Sequence, residues 1–347
     1  MHTESTDVCV IGGGPSGTAA AIGLAQAGLD VVLVERLAFP RHRPGESLHP
    51  GVEPLLSQLG VAEEIQQAGF RRFGGITTDW NPDTPRDYQH FASSPDKEWM
   101  GYQVERSTFD EILLRRAACL GTRILQPARV RSVTAHEQAY HVVTSDGNWN
   151  CRWIVDASGQ SCALSRCFDL AWRLHSDPLF ARYGYVEAAG SSADFDVPSI
   201  QRDKTGWTWL APITGDRLAW VRVQAEDVGP HFVPDECSHL PSVGAARGAD
   251  VTWRIRSQVA GPRWFLCGDS AMVLDPSSSH GVLKAMLSGT CAASMVVQCI
   301  DRELDPQLVS RAYSRWLQDG FLADVQRLRS LYNGPFTERN SFHSSLN

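Results

Sequence analysis

At 347 residues, with 43% hydrophobic and 20% charged side chains, the chain has the length of two ordinary domains and the apolar content of a folded one, which excludes a disordered, fibrous or collagen-like polypeptide. Its 32 lysines and arginines against 39 aspartates and glutamates leave a net charge of −7, so no basic surface points to nucleic acid or an anionic membrane. The N-terminus from Met1 to Asp7 lacks the basic start and apolar core of a secretory signal, and a cytoplasmic protein is expected. Asp7 to Ile11 predicts a buried strand, Ser16 to Ala27 a helix with Gly28 at its end, and Asp30 to Glu35 a second strand: a βαβ unit. A helical stretch from Gly51 to Ala68 follows, then β-like residues from Gly75 to Trp80 and a helix capped at Ser107 that runs to about Leu120. Arg129 to Thr134, Tyr140 to Thr144 and Trp149 to Val155 alternate as an antiparallel meander, with Asp146-Gly147 as a turn. From Leu170 to Asp250, aromatic and β-branched segments separated by turns predict an antiparallel sheet. Strand character returns at Arg263 to Cys267, and a long helix starts near Gly281.

Uninterrupted apolar runs such as Val31 to Val34 and Ala292 to Val297 are far shorter than the roughly 20 residues of a membrane-spanning helix, so no span is expected. The nine cysteines are scattered without a C-x-x-C pair, which predicts inert buried thiols and neither a disulfide framework nor a metal site. No linker divides the chain, so a second domain should be an insertion. The reading is a discontinuous nucleotide-binding domain of 1–75, 100–168 and 255–305, a substrate-binding β-sheet domain of 76–99 and 169–254, and a C-terminal helical segment of 306–347.

The strongest chemical signal is Gly12-Gly13-Gly14-Pro15-Ser16-Gly17, a G-x-G-x-x-G between strand and helix. Gly12 permits a tight turn, Gly14 lets a diphosphate approach the backbone, Gly17 lets helix and strand pack, and the helix N-terminus supplies N–H groups and a partial positive charge. Glu35, ending the second strand, is placed to accept hydrogen bonds from both hydroxyls of a ribose. Neither a G-x-S-x-G elbow nor a metal-ligand cluster at diagnostic spacing is present.

Further motifs, in order along nearly the whole chain, resemble the FAD-dependent monooxygenases and flavin-dependent tryptophan halogenases. They are Phe39 to Leu48 with its Gly45-Glu46-Ser47-Leu48, Tyr102 to Asp110 with Arg106, Val155-Asp156-Ala157-Ser158-Gly159, and Gly268-Asp269 followed by Asp275-Pro276 and Gly281. The resemblance implies an α/β fold: a Rossmann-like, GR2-type FAD-binding domain with an inserted antiparallel β-sheet substrate domain. It implies that Gly12, Gly14, Pro15, Ser16, Gly17, Glu35 and Arg36 hold FAD, together with Arg43, Ser47, Arg106, Ala157, Gly159, Gly268, Asp269, Pro276, Gly281 and Val282. The chemistry implied is that of reduced FAD with O2 through a flavin C4a-hydroperoxide, and the protein's task is to exclude water and aim a substrate. No second nucleotide motif is present, so the reductant is NAD(P)H docking transiently or a separate flavin reductase.

Gly206 to Pro212 resembles the W-x-W-x-I-P segment of tryptophan halogenases with alanine for isoleucine, and offers Trp207 and Trp209 as a substrate wall. Halogenases also carry a lysine downstream of the G-E loop. Here the matching stretch, Gly69 to Gly75, holds Arg71 and Arg72, and a guanidinium cannot form a chloramine. This departure favours hydroxylation of an indole or other aromatic ring, and Arg72 is then a substrate-binding candidate. Within the superfamily the G-E-S-L loop and the run from Asp275 to Gly289 resemble flavoprotein maturases of tryptophylquinone-containing amine oxidases, which implies a post-translational modification of a tryptophan in a partner protein or peptide. Glu46, His49, His280 and Lys284 are the catalytic candidates, the histidines because imidazole titrates near working pH. Halogenation of an aromatic substrate, reduction of an alkene or prenyl group, and a non-catalytic flavin-binding escort of a maturing partner stay open beside hydroxylation.

Overall fold

The computed structural model describes residues 3–80, 86–91, 99–136, 139–188, 197–213 and 216–332; parts of the expected segments 76–99 and 306–347 therefore lie outside the described residues. Its central layer is an eight-stranded sheet in the spatial order Ala260–Gly261, Trp264–Leu266, Asn148–Asp156, Thr3–Ile11, Val31–Val34, Arg123–Leu125. From Trp264–Leu266 onward every neighbouring pair in that order is parallel. Val31–Val34 is buried at every position, as a parallel strand covered on both faces requires. The meander expected from Arg129 to Val155 forms as Val130–His136, Ala139–Thr144 and Asn148–Asp156, and its last strand doubles as a member of the parallel layer.

The first helix, Pro15–Gln26, starts on a proline at its first turn, where no intrahelical N–H is lost. It crosses the long helix Gly281–Asp301 at a point where a Cβ on Gly289 would fall on the carbonyl oxygen of Ser16. By length and composition alone Gly281–Asp301, at mean hydropathy 1.4, could cross a membrane. Counting unbroken apolar runs overlooked it, because small and polar residues interrupt its sequence while its average stays apolar. In this fold Met286, Gly289, Ala292, Ala293 and Val296 are buried in the core.

The second large sheet has seven strands, ordered Ser242–Asp250, Phe180–Glu187, Arg217–Gln224, Gly206–Pro212, Ser199–Arg202, Gly75–Asp79, Asp87–His90. It is not wholly antiparallel: Gly75–Asp79 runs parallel to Ser199–Arg202, because a segment far earlier in the chain completes the sheet. Two further expectations are corrected. The helical stretch from Gly51 to Ala68 is broken into a 3-10 turn Pro50–Val52 and two short helices, Glu53–Gln58 and Ala62–Gln67, with Gly60 at φ 69° between them. The helix placed at Ser107 starts at Arg106 and runs to Cys119; its N-cap is Glu105, with no side-chain capping bond.

A C-terminal helix, Pro306–Tyr332, closes the molecule. Its last turn is fastened to the second sheet, where Leu331 accepts a hydrogen bond from Trp80 Nε1 (3.0 Å) and Tyr332 O accepts from Arg202 (3.1 Å).

Candidate active site

The glycine-rich turn is built as its residue types require. A Cβ on Gly12, at φ 104°, would strike the carbonyl oxygen of Ala157, and one on Gly17 would strike that of Gly12. Gly14 is the N-cap of the first helix and His280 that of the long helix, and neither helix has a side-chain cap, so their first N–H groups are left for a ligand. The first turns of the two helices lie close together, since Gly268 packs between the Ser16 side chain of one and Ala285 of the other. Pro15 and Ser16 are buried within the turn, and Arg36 is exposed just past the second strand.

Glu35 is 5% exposed, and both its oxygens already receive backbone donors, Oε2 from Gly13 N (2.7 Å) and Oε1 from Leu37 N (2.9 Å). One lone pair on each remains for ribose hydroxyls. Asp156, fully buried, accepts from Ser158 N and Leu164 N and so shapes the turn that carries Ala157 and Gly159. Asp269 is solvent-accessible at the start of its 3-10 turn, yet the protein around it is dense enough that desolvation raises its carboxyl, against the pull of Arg106, Arg254 and Arg43. An accessible acid in such surroundings lies in a deep cleft. Pro276 and Gly281 are exposed beside it, and a Cβ on Gly281 would meet nothing within 4 Å.

Arg106 is not free to reach a diphosphate as expected. Its guanidinium makes paired bonds to Asp110 (2.9 and 3.0 Å) and a third to Pro44 O (2.5 Å). Arg41 reaches the same carboxylate at 3.1 Å. A fully buried aspartate thus pins the 39–46 loop at two points, and Arg106 is a positioning residue of that loop. Sequence reasoning missed Asp110; the i,i+4 spacing from Arg106 was the available signal. Ser47 bonds Gln103 Oε1 (2.8 Å), whose Nε2 is completely buried and has no partner among the described residues. Val282 packs near Gly45. Two uncapped helix N-termini, Glu35 with a lone pair left on each oxygen, and the accessible Asp269 make a donor and acceptor set that fits FAD.

Among the catalytic candidates, Glu46 is 7% exposed and receives the Tyr185 hydroxyl on Oε1 and Gly45 N on Oε2 (2.9 Å). Burial raises its carboxyl above the usual range, and these bonds with Arg106 only partly offset that. His49 accepts from Gly51 N on Nδ1 (3.0 Å), which fixes the proton of the neutral ring on Nε2; burial lowers its pKa. The His280 ring lies 4.4 Å from that of His49, so the two are brought together. Lys284 is not: its ammonium is paired with Asp324 of the C-terminal helix.

The substrate-wall residues are also placed otherwise than expected. Trp207 is 1% exposed and donates to the Tyr332 hydroxyl (2.6 Å), which in turn donates to Asp275; Trp209 is 8% exposed in the same core. Trp207 packs against the end of the C-terminal helix, which the local sequence around it could not show. Arg72 is anchored to Glu53 (2.6 Å) and to the Gly101 and Met100 carbonyls, with its guanidinium 3.9 Å from the Tyr102 ring centre.

A family model described as FAD binding domain matches residues 5–301. The chain belongs to the FAD-binding domain family. Members of the wider halogenase-like group are similar along most of its length: flavin-dependent halogenase armH3 of Armillaria mellea, 29% identical over 90% of this chain and 73% of the relative, and tryptophan 2-halogenase of Chondromyces crocatus, 28% identical over 95% and 68%. The solved structure of the myxobacterial chondrochloren halogenase CndH superposes with a TM-score of 0.85 at 25% identity, covering 95% of this chain and 83% of that one. The FAD-binding protein described here is therefore an FAD-dependent oxidoreductase of the monooxygenase and halogenase-like superfamily, with FAD as its cofactor. These relatives are halogenases, and the finer likeness to amine-oxidase maturases finds no support in them.

Proposed function

We propose that this enzyme halogenates an electron-rich aromatic ring. The observation that carries the reading is the similarity to named halogenases, spread over nine-tenths or more of the chain in both sequence and fold. The glycine-rich turn, Glu35, Asp269 and the two helix N-termini would hold FAD, which when bound and reduced would supply reducing equivalents to dioxygen. The chain's own residues shape the surroundings of that chemistry. Arg41, Arg106 and Asp110 hold the 39–46 loop in place, and Glu46 keeps a buried carboxyl whose raised pKa suits it to exchange a proton with a reacting group. The neutral His49 and its neighbour His280 flank the same loop, with the proton on His49 Nε2 available for donation.

A second reading, hydroxylation of the ring, is favoured by where the cations lie. The chain has three lysines, of which Lys284 is paired with Asp324, Lys204 sits on an exposed turn, and Lys97 lies outside the described residues. Arg72 is fixed by Glu53 and cannot share a proton as an amine does.

The deciding experiment supplies reduced FAD, oxygen and bromide with a panel of indoles, phenols and pyrroles, and analyses the products by mass spectrometry. The paired isotope pattern of bromine on the ring supports halogenation. Incorporation of a single oxygen atom from labelled dioxygen supports hydroxylation. With neither product across the panel, both readings fall.

A further inference from the structure

Glu46 is buried but not cut off from solvent. Its Oε1 accepts the Tyr185 hydroxyl, and the same hydroxyl lies 3.3 Å from His42 Nε2, with the two rings edge to face at 5.2 Å between centres. Glu46 is 7% exposed, Tyr185 half-buried and His42 exposed, so the three side chains step from the interior to the surface. All three line a cleft of about 200 Å³ between the 42–46 loop and the second sheet. The hydrogen-bonded path along them is unbroken.

The surroundings keep a proton moving along this path. Burial lowers the His42 pKa, and four arginines lower it further: Arg247 on the outer strand Ser242–Asp250, Arg106 at the head of its helix, Arg217 on Arg217–Gln224 and Arg43 on the same loop. An imidazolium in that field gives up its proton readily. Glu46 takes one readily, because burial raises its carboxyl against the bonds from Tyr185 and Gly45 and the charge of Arg106. Donor and acceptor are thereby drawn toward equal acidity, which lowers the cost of transfer between them. The Tyr185 phenol between them is pushed up by burial, then by Glu46 and Tyr183, against the opposing pull of Arg106, so it passes a proton on without ionising.

We propose that His42 and Tyr185 form a proton relay from the water of this cleft to Glu46. In the inward step the Nε2–H bond of protonated His42 breaks as an O–H bond forms on Tyr185, and the original Tyr185 proton moves to Glu46 Oε1. His42 is left neutral with its proton on Nδ1, and water reprotonates Nε2. The inference deepens the function proposed above and rests on it for the use of that proton. In bromination of a ring, dioxygen becomes two waters, taking two electrons from reduced flavin and two from the bromide that ends on the ring. Of the four protons this needs, the flavin brings two and the ring carbon one; the last comes from outside.

NMR of histidine-labelled, FAD-loaded protein without substrate reads the His42 titration directly. Glu46→Gln lowers the His42 pKa by about half a unit or more when Tyr185 is present and leaves it unchanged in a Tyr185→Phe background, because the phenol carries the coupling. An equal shift in both backgrounds acts through space and overturns the relay. In turnover with reduced FAD, oxygen, bromide and an accepted ring, His42→Gln lowers kcat by about 100-fold with KM unchanged, and added imidazole restores it. His141→Gln, on the meander, behaves as the native protein does. Retained flavin absorbance and an unchanged circular dichroism spectrum show that the variants are folded. A native kcat in His42→Gln, or a loss that imidazole does not restore, also overturns the inference. Titration coupled through Tyr185 in a protein that brominates no ring sinks the proposed function and leaves the relay standing.

Discussion

Tyr185, on the second sheet, donates its hydroxyl to Glu46, on the loop that borders the nucleotide cleft. The bond ties the second sheet to that loop at a carboxyl that burial holds above its ordinary range. A carboxyl whose pKa is higher folded than unfolded favours the fold while protonated; that contribution is lost as pH rises from the ordinary value of 4.5 through the folded one. Glu46→Gln removes the dependence. Relative to the native protein, the variant's melting temperature should therefore improve as pH rises above the ordinary value of 4.5 and level off once the native carboxyl is ionised. A difference independent of pH would show that Glu46 is not buried as described.

Tyr185→Phe deletes the donor and leaves the buried carboxyl with one fewer partner. A loss of about 1–3 kcal/mol in urea unfolding is expected. In any assay of turnover, the limb that reports Glu46 should move to higher pH, because the ionised form has lost a stabilising bond.

Gly17→Ala should release FAD. Its Cβ would collide with the Gly12 carbonyl, and the backbone shift that relieves this displaces the helix N-terminus. A cost of roughly 1–3 kcal/mol is expected, read as the flavin-to-protein ratio after gel filtration and as the unfolding midpoint.

Tyr332→Phe breaks both bonds of a relay that runs from Trp207 Nε1 through the phenol to Asp275. Asp275 is 1% exposed and keeps Ser277 N as a partner (2.8 Å), so the fold should survive with a loss of about 1–3 kcal/mol. The expected signal is altered tryptophan fluorescence together with a lower urea midpoint; an unchanged midpoint would refute the relay.

Lys284→Met separates a structural tie from a chemical role. The pair with Asp324 is partly exposed, and about 0–1 kcal/mol of stability is expected to go, with the visible spectrum of bound flavin unchanged. A shifted flavin spectrum would place the ammonium at the cofactor instead.

The nucleotide-binding half was legible because its signals are local. Gly12 is dictated by its positive φ and Gly17 by a collision with the Gly12 carbonyl five residues away, and Val31–Val34 declares its double burial by an unbroken apolar run. What the sequence hid is what long-range packing decides. Trp207 and Trp209 read as a wall because strand alternation gives a face, whereas what covers that face comes from Tyr332 at the other end of the chain. Lys284 looked available because its acid, Asp324, lies on a separate helix. Arg106 was assigned to a ligand because family likeness names a residue and not its neighbours; the buried Asp110 one helical turn away takes it instead.

The crossing of Gly289 over Ser16 sets an order of events during synthesis. The first helix leaves the ribosome early, while the helix that covers it and the strand Trp264–Leu266 that extends its sheet are made only after most of the chain. Until then an apolar layer destined for the middle of the protein stands uncovered. The nascent polypeptide therefore depends on chaperones or on speed to protect it, and truncation anywhere before the long helix should yield insoluble product in place of a smaller working domain.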